Sequence, residues 1–332
     1  MKIWQVASLS GPPAQSEQPR PTPAPGFVQL KVAAVGLNFA DLLMGDGKYQ
    51  ERPALPFIPG MEFAGTIEAI GCTAMPATSA SPGPDLSLGQ RVAGFATHGA
   101  LAEYITAPAD QLILLPDSMS FQQAAAFQIA YGTSHLALWH KARLQPGETL
   151  LVLGAAGGVG LTAVEIGKRM GARVVACARG SAKLEIARAA GADILIDSDT
   201  PDLKSALKAA TNDFGGVDVV YDPVGGPAFN AAMSACRPEG RLLTIGFASG
   251  QLPEIPANHL LVKNLSVIGL YWGGYMTFAP HILSNSLRTL FQWFAEGGLR
   301  PHISHELPFA DYPQGLELLR TRQATGKVVI TL

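Results

Sequence analysis

Short apolar runs bounded by glycine and proline fill the first third of the chain. "FVQLKVAAVGL" (27–37), "EFAGTIEAIG" (62–71), "QRVAGFA" (90–96) and "GALAEYITAP" (99–108) are rich in β-branched and aromatic residues and stop at turn-forming ones, which predicts strands. Between them, "MPATSASPGPDLSLG" (75–89) is dominated by small, polar and proline residues and predicts an exposed loop. From about residue 121 the period changes. "FQQAAAFQIAYGTSHLALWHKAR" (121–143) carries apolar residues at helical spacing. After it, "TLLVLG" (149–154), "RVVACA" (173–178), "DILID" (193–197), "VDVVYD" (217–222), "RLLTIGF" (241–247) and "LSVIGLY" (265–271) alternate with amphipathic helical stretches such as "SAKLEIARAAGA" (181–192). Strands that are apolar throughout and separated by helices predict a parallel sheet covered on both faces. Past residue 275 a helical stretch is followed by the strand-like "GKVVITL" (326–332), which matches the style of the first third of the chain. The pattern predicts an α/β chain of two domains. One is an irregular β-rich domain, 1–120 completed by 276–332; the other is a doubly wound parallel-sheet (Rossmann) domain over 121–275.

Composition narrows the class of function. The chain has 332 residues, 48% hydrophobic and only 15% charged, enough apolar material for two cores. A net charge of −2 and the absence of a basic run interleaved with aromatics argue against nucleic acid as a partner. Cys72, Cys177 and Cys236 are widely spaced and form no CxxC pair, so neither a disulfide framework nor a structural zinc site is expected, and a reducing compartment is the simplest home. "MKIWQVASLSGPP" breaks into Gly-Pro too early for a signal peptide, and no long apolar run follows, so a cytoplasmic protein without a membrane span is expected.

The sharpest local signal is "TLLVLGAAGGVGLTAVEIGKRMG" (149–171), an apolar strand running through Gly154, Gly157, Gly158 and Gly160 into a helix. This is the strand–turn–helix context of a dinucleotide loop, in which glycines admit the pyrophosphate and the helix start directs N–H groups at it. A ribose-binding acid would follow the second strand, but "ACARGSAK" (176–183) has none. Arg179 and Lys183 offer positive charge there instead, which favours NADPH. The histidines do not make a metal site. His302 and His305 stand three apart in a strand-like stretch and point to opposite faces, and His98, His135 and His140 read as loop or packing residues. In "GMEFAGT" (60–66), Glu62 stands among small and apolar neighbours. It could be a ligand, a catalytic group or a hydrogen-bonded structural carboxylate, but not an unpartnered buried charge.

The order of these parts, with "GLNFADLLMGDGKY" (36–49), "LPFIPGMEFAGTIEAIG" (55–71), "LQPGETLLVLGAAGGVG" (144–160) and "ATGKVV" (324–329), closely resembles the zinc-independent NADPH:quinone oxidoreductase family (zeta-crystallin-like) of the medium-chain dehydrogenase/reductase superfamily. The resemblance covers essentially the whole chain and implies that the β-rich domain is GroES-like. Zinc-dependent relatives carry a cysteine ligand where this chain has Asn38 and a histidine where it has Met61, and the cysteine-rich zinc lobe is missing, so no metal is implied. The resemblance places Asn38 beside the nicotinamide and Thr133 on its other wall. It places Gly157, Gly158 and Val159 at the pyrophosphate, Lys183 and Arg322 at the 2′-phosphate, and Phe247 on the nicotinamide side. Tyr49 matches a substrate-pocket tyrosine and is a candidate catalytic residue with Asn38. Asp41 lies near the active site in the family, but a short acid at a helix start is also an ordinary cap. Glu62 reads as a structural carboxylate near the nicotinamide.

Two departures stand out. Leu43 replaces a second pocket tyrosine, and Asp197 and Ser198 occupy the neighbourhood of a tyrosine near the 2′-phosphate, where an acid weakens phosphate binding. The implied reaction is metal-free hydride transfer from NADPH to a quinone, with Asn38 or Tyr49 as donor to the developing oxyanion. The same geometry serves an activated C=C bond in an enone, acrylate or acryl-thioester. An NADPH- or RNA-binding protein with little turnover is the alternative of another class. Pairing of the "LSVIGLY" edge between two copies implies a homodimer.

Overall fold

The computed structural model describes residues 1–71 and 86–332; Cys72 and most of the loop expected at 75–89 lie outside the described residues. The chain forms two compact units, Met1–Ile129 with Pro301–Leu332, and Ala130–Arg300.

The first unit begins with β1 (Lys2–Gln5), β2 (Ala14–Glu17), β3 (Phe27–Leu37), β4 (Glu62–Ile70), β5 (Arg91–Phe95), β6 (Tyr104–Pro108) and β7 (Ile113–Leu114). The chain then supplies β8 (Thr149–Leu153), β9 (Arg173–Ala178), β10 (Ile194–Asp197), β11 (Val217–Asp222), β12 (Cys236–Thr244) and β13 (Ser266–Gly269) to the second unit. It returns to the first as β14 (Ile303–Pro308) and β15 (Lys327–Thr331). Both chain ends therefore share one sheet, in the order β14-β15-β3-β4-β5-β7, with β6 also paired to β3 and β1-β2 forming a separate ribbon. β3 is the spine. It runs antiparallel to β4, β6 and β15, and its side chains Val28, Leu30, Val32, Val35 and Leu37 join Phe63, Ile67, Val328 and Ile330 in the core. Of the expected run 99–108, only Tyr104–Pro108 forms a strand.

The second unit has a six-stranded sheet in the order β10-β9-β8-β11-β12-β13, parallel throughout. The order reverses between β8 and β11, the switch point at which doubly wound sheets bind ligands beyond the carboxyl ends of their strands. β8 and β11 are buried along their whole length, β8 through four successive apolar residues after Thr149 and β11 with Asp218 and Asp222 buried among its apolar ones.

The unit boundaries fall at 129/130 and 300/301 rather than near 120 and 275. The C-terminal shift comes from the helix Pro280–Ala295. It buries Leu283, Leu287, Leu290, Phe291 and Phe294, and its Ser286 Oγ lies 2.8 Å from His135 Nδ1 in the second unit. Arg169 and Glu296 close the same contact as an ion pair at 2.5 Å. The N-terminal shift follows from Gln128, whose Nε2 donates to the Gly94 carbonyl of β5 at 3.0 Å.

Candidate active site

In the first unit three strand ends meet. β3 is antiparallel to β4 and β15, so its carboxyl end lies beside the starts of both. Asn38 follows β3, Glu62 opens β4 opposite Gly36, and Lys327 opens β15. All three are buried: Glu62 is 0%, Lys327 4% and Asn38 9% exposed. Lys327 Nζ forms an ion pair with Glu62 Oε1 and donates to Asn38 Oδ1 at 2.7 Å. Asn38 Nδ2 donates to Glu62 Oε1 at 2.9 Å and lies 3.4 Å from the Gly36 carbonyl. Glu62 Oε2 accepts the Ile129 N–H at 3.0 Å. The carboxylate thus takes three donors, one of them cationic, which is how a fully buried charge is tolerated. Gly36 is required by this closeness: a Cβ there would collide with the Ala125 carbonyl and stand 2.8 Å from Glu62 Oε1.

Asp41 sits in the first turn of the helix Phe39–Gly45, where its Oδ2 accepts the N–H of the N-cap residue Asn38 at 2.8 Å. Its Oδ1 is buried without a hydrogen-bond partner. Burial pushes the Asp41 carboxyl up to about 7, against the smaller opposing pull of the Asn38 amide and the Lys327 ammonium. Tyr49 is half-buried and packs against the cluster of Val6, Met44, Phe57 and Met61. Leu43 is half-buried on the same helix as Asp41. Arg322 is exposed, with a left-handed φ of 58°, in the turn before β15.

In the second unit the glycine run joins β8 to the helix Gly158–Arg169, with Gly157 as N-cap. Gly157, Gly158 and Val159 are half-exposed, and the N–H groups of a helix's first turn have no partner within the helix, so they can turn to an anion. A Cβ at Gly160 would collide with the Gly154 carbonyl, so the helix can approach the turn this closely only with glycine there. Behind the loop, Ser134 Oγ donates to the Val159 carbonyl at 2.9 Å and lies 2.8 Å from Thr162 Oγ1 and 2.9 Å from the Tyr221 hydroxyl. This buried hydroxyl cluster ties the helix Gln128–His135, which carries buried Thr133, to the glycine loop. Lys183 is half-buried near the start of the helix Ser181–Ala189. Arg179 is exposed and paired with Asp199 at 3.1 Å, while Asp197 accepts the N–H groups of Gly180 and Asp199, which hold its carboxyl below the usual range. Phe247 is exposed beyond β12.

Residues 24–117, in the first unit, match the alcohol dehydrogenase GroES-like domain family, and residues 158–295, in the second, match the zinc-binding dehydrogenase family. A quinone oxidoreductase-like protein 2 homolog from Nematostella vectensis is 40% identical over 306 residues, covering 91% of this chain and 81% of the relative. The chain belongs to the quinone oxidoreductase family of the medium-chain dehydrogenase/reductase superfamily. Among solved structures of that family, the quinone oxidoreductase of Thermus thermophilus, described also in complex with NADPH, superposes with a TM-score of 0.85 at 32% identity over all of both chains. The Escherichia coli quinone oxidoreductase complexed with NADPH gives 0.89 at 27% identity, again over all of both chains.

The zinc that one of the matched families is named for does not fit these residues. The positions hold an amide, Asn38, and a thioether, Met61; the Glu62 carboxylate beside them is already engaged by an ammonium, and no group of three or more His, Cys, Asp or Glu side chains able to hold a metal occurs among the described residues. A zinc ion takes thiolate, imidazole or free carboxylate and is repelled by a neighbouring cation. No helix among the described residues is long and apolar enough to cross a membrane.

The structure brings Asn38 and Asp41 together around Glu62 and adds Lys327, which sequence reasoning missed although it lies within "ATGKVV". The signal was a lysine opening a strand whose next three residues, Val328, Val329 and Ile330, are all buried. Ser134, Thr162 and Tyr221 were missed too, since hydroxyls on three separate elements carry no common spacing.

Asp41 makes a pH prediction. Its carboxyl is raised from 3.8 in the unfolded chain to about 7, so folding takes up a proton and this group's contribution to stability falls as pH rises through that window. His135, buried and lowered to about 4, works in the opposite direction between about pH 4 and 6.5, so the two partly cancel in the wild type. Asp41→Asn isolates the first. Urea unfolding should show the variant gaining on the wild type by on the order of 2 kcal/mol from about pH 5 to about pH 8. A difference that does not change with pH contradicts the assignment.

Proposed function

We propose that the chain is an NADPH-dependent quinone reductase. The observation that carries the reading is the pairing, in one chain, of a dinucleotide loop with a strand-end cluster in which Lys327 occupies the carboxylate a metal would need. A strongly electrophilic acceptor such as a quinone takes a hydride without a Lewis acid to polarise it, which suits such a site. The amide cradle at Gly157, Gly158 and Val159 fits a pyrophosphate, and the cations Lys183, Arg322 and Arg179, the last paired with Asp199, are the proposed 2′-phosphate contacts.

Bound NADPH supplies a hydride, and with one proton from water a quinone becomes a hydroquinone and NADPH becomes NADP⁺. Asn38 of the first unit and Thr133 and Phe247 of the second are the proposed nicotinamide contacts. Asn38 and Tyr49 are the two proposed donors to the developing oxyanion, and the Asn38 Nδ2 also donates to Glu62 and faces the Gly36 carbonyl. Leu43 makes the acceptor's surroundings more apolar than a tyrosine would, which also favours a second reading, reduction of an activated C=C bond.

Steady-state kinetics across benzoquinones, naphthoquinones, enones and acrylates, with NADPH and NADH, separate the two. The highest kcat/KM is expected for a quinone with NADPH. Saturation of an enone with no quinone turned over contradicts it.

We further propose a homodimer through β13, which among the described residues pairs only with β12. Exposed Leu252, Ile255, Leu261 and Val262 lie in the segment leading to that strand, an apolar surface that a second copy would cover. Sedimentation at the mass of one chain contradicts the dimer.

A further inference from the structure

We propose that Lys327 is a positioning residue for this reaction: together with Glu62 it brackets the Asn38 amide and fixes which end of it faces which way. The inference rests on the proposed placement of Asn38 beside the nicotinamide. An ammonium only donates hydrogen bonds and a carboxylate only accepts them. Lys327 Nζ therefore demands an oxygen at 2.7 Å, and Glu62 Oε1 demands an N–H at 2.9 Å. The reversed amide would set N–H against the ammonium and oxygen against the carboxylate, so the orientation of Asn38 is dictated rather than merely accommodated.

The main chain is held as firmly. Asp41 Oδ2 takes the Asn38 N–H at 2.8 Å, so three residues from β4, β15 and the helix Phe39–Gly45 grip Asn38 at its backbone nitrogen and at both ends of its side chain. Stability alone does not account for this choice of residues. Apolar side chains of similar volume fill such a space without stripping water from two charges, and replacing a buried ion pair in that way is commonly neutral or better. What an apolar pair cannot do is tell one end of an amide from the other. For a group against the cofactor that distinction bears on rate, since misplacement of a reacting partner by about 1 Å lowers rate by about a hundredfold.

The test is the paired variant Glu62→Gln with Lys327→Met, which removes both charges and the bracket they make: the Ile129 N–H draws the oxygen of the introduced glutamine, so that the new amide turns its N–H toward Asn38 and no longer demands the Asn38 Nδ2 there. Thermal unfolding, the NADPH dissociation constant by fluorescence titration, and kcat with a quinone at saturating NADPH are measured. The expected result is a folded variant whose NADPH affinity is close to wild type, because the glycine loop, Lys183 and Arg322 are untouched, with kcat lower by at least about tenfold. Wild-type kcat in a folded pair overturns the inference. So does a loss of NADPH affinity equal to the loss of kcat.

Asn38→Ser separates the inference from the reading beneath it. Unchanged kcat in that variant removes Asn38 from the nicotinamide, whereas a loss there beside full activity in the pair overturns the bracket alone. If the pair does not fold, the wild type still decides. With ¹⁵N-asparagine labelling, the Asn38 side-chain amide, assigned by its disappearance in Asn38→Ser, is expected as two slowly exchanging protons, and an averaged, rapidly exchanging amide contradicts the bracket.

Discussion

Lys327→Met alone is expected to lower folding stability by on the order of 3–5 kcal/mol, the largest effect of any single substitution considered. The methionine fills most of the volume, so the loss is electrostatic. Glu62 is 0% exposed, and without the ammonium its Oε1 keeps only the Asn38 amide and its Oε2 only the Ile129 N–H. Two neutral donors do not offset the desolvation of a carboxylate. Asn38 Oδ1 is orphaned at the same time, adding the penalty of a buried acceptor without a donor. Adding Glu62→Gln removes the stranded charge and should recover most of the loss, a non-additivity that urea unfolding of the two single variants and the pair measures directly. A loss under about 1 kcal/mol in Lys327→Met would show that the ion pair is not the buried contact described.

The second large effect concerns cofactor choice. Lys183→Ala with Arg322→Ala should raise the NADPH dissociation constant by at least about 100-fold and change that for NADH little, because charge-assisted contacts to a phosphate contribute about 1.5–3 kcal/mol each and only NADPH carries the extra phosphate. Arg179→Ala should do less. Its guanidinium is partly neutralised by Asp199, in an exposed pair of small worth by itself. Asp197, an acid that by sequence position would oppose a phosphate, turns its Oδ1 toward the amides of Gly180 and Asp199, which shapes the turn after β9. Equal weakening of both cofactors in the double variant would remove Lys183 and Arg322 from the 2′-phosphate. Fluorescence titration with each cofactor reads the outcome.

The fold was largely legible because its signals are local. The runs 27–37, 173–178 and 217–222 coincide with β3, β9 and β11, since apolar strands bounded by turn residues announce themselves within a few positions. The glycine loop was legible for the same reason, as the collision at Gly160 confirms. What was not legible is which element covers which. The helix Pro280–Ala295 shows an apolar face in sequence, but nothing in that face says that it closes on His135 and Arg169 rather than on the β-rich unit.

The strand-end cluster failed to show itself for a related reason. Lys327 and Glu62 are 265 positions apart, and only the antiparallel pairing of β3 with both β4 and β15 brings them together. Glu62 was readable as a carboxylate in need of a partner. The partner was not, because a lysine before an apolar strand reads as a solvated end until the sheet is assembled. That partner also holds the Asn38 side chain, whose Oδ1 accepts from Lys327 while its Nδ2 donates to Glu62.

Two-electron reduction of a quinone by NADPH is tested most directly by product stoichiometry. Wild-type protein is turned over anaerobically with NADPH and a naphthoquinone, and hydroquinone is quantified against NADP⁺. One hydroquinone for each NADPH consumed is the predicted result; tight NADPH binding with no hydroquinone from any quinone offered would contradict it.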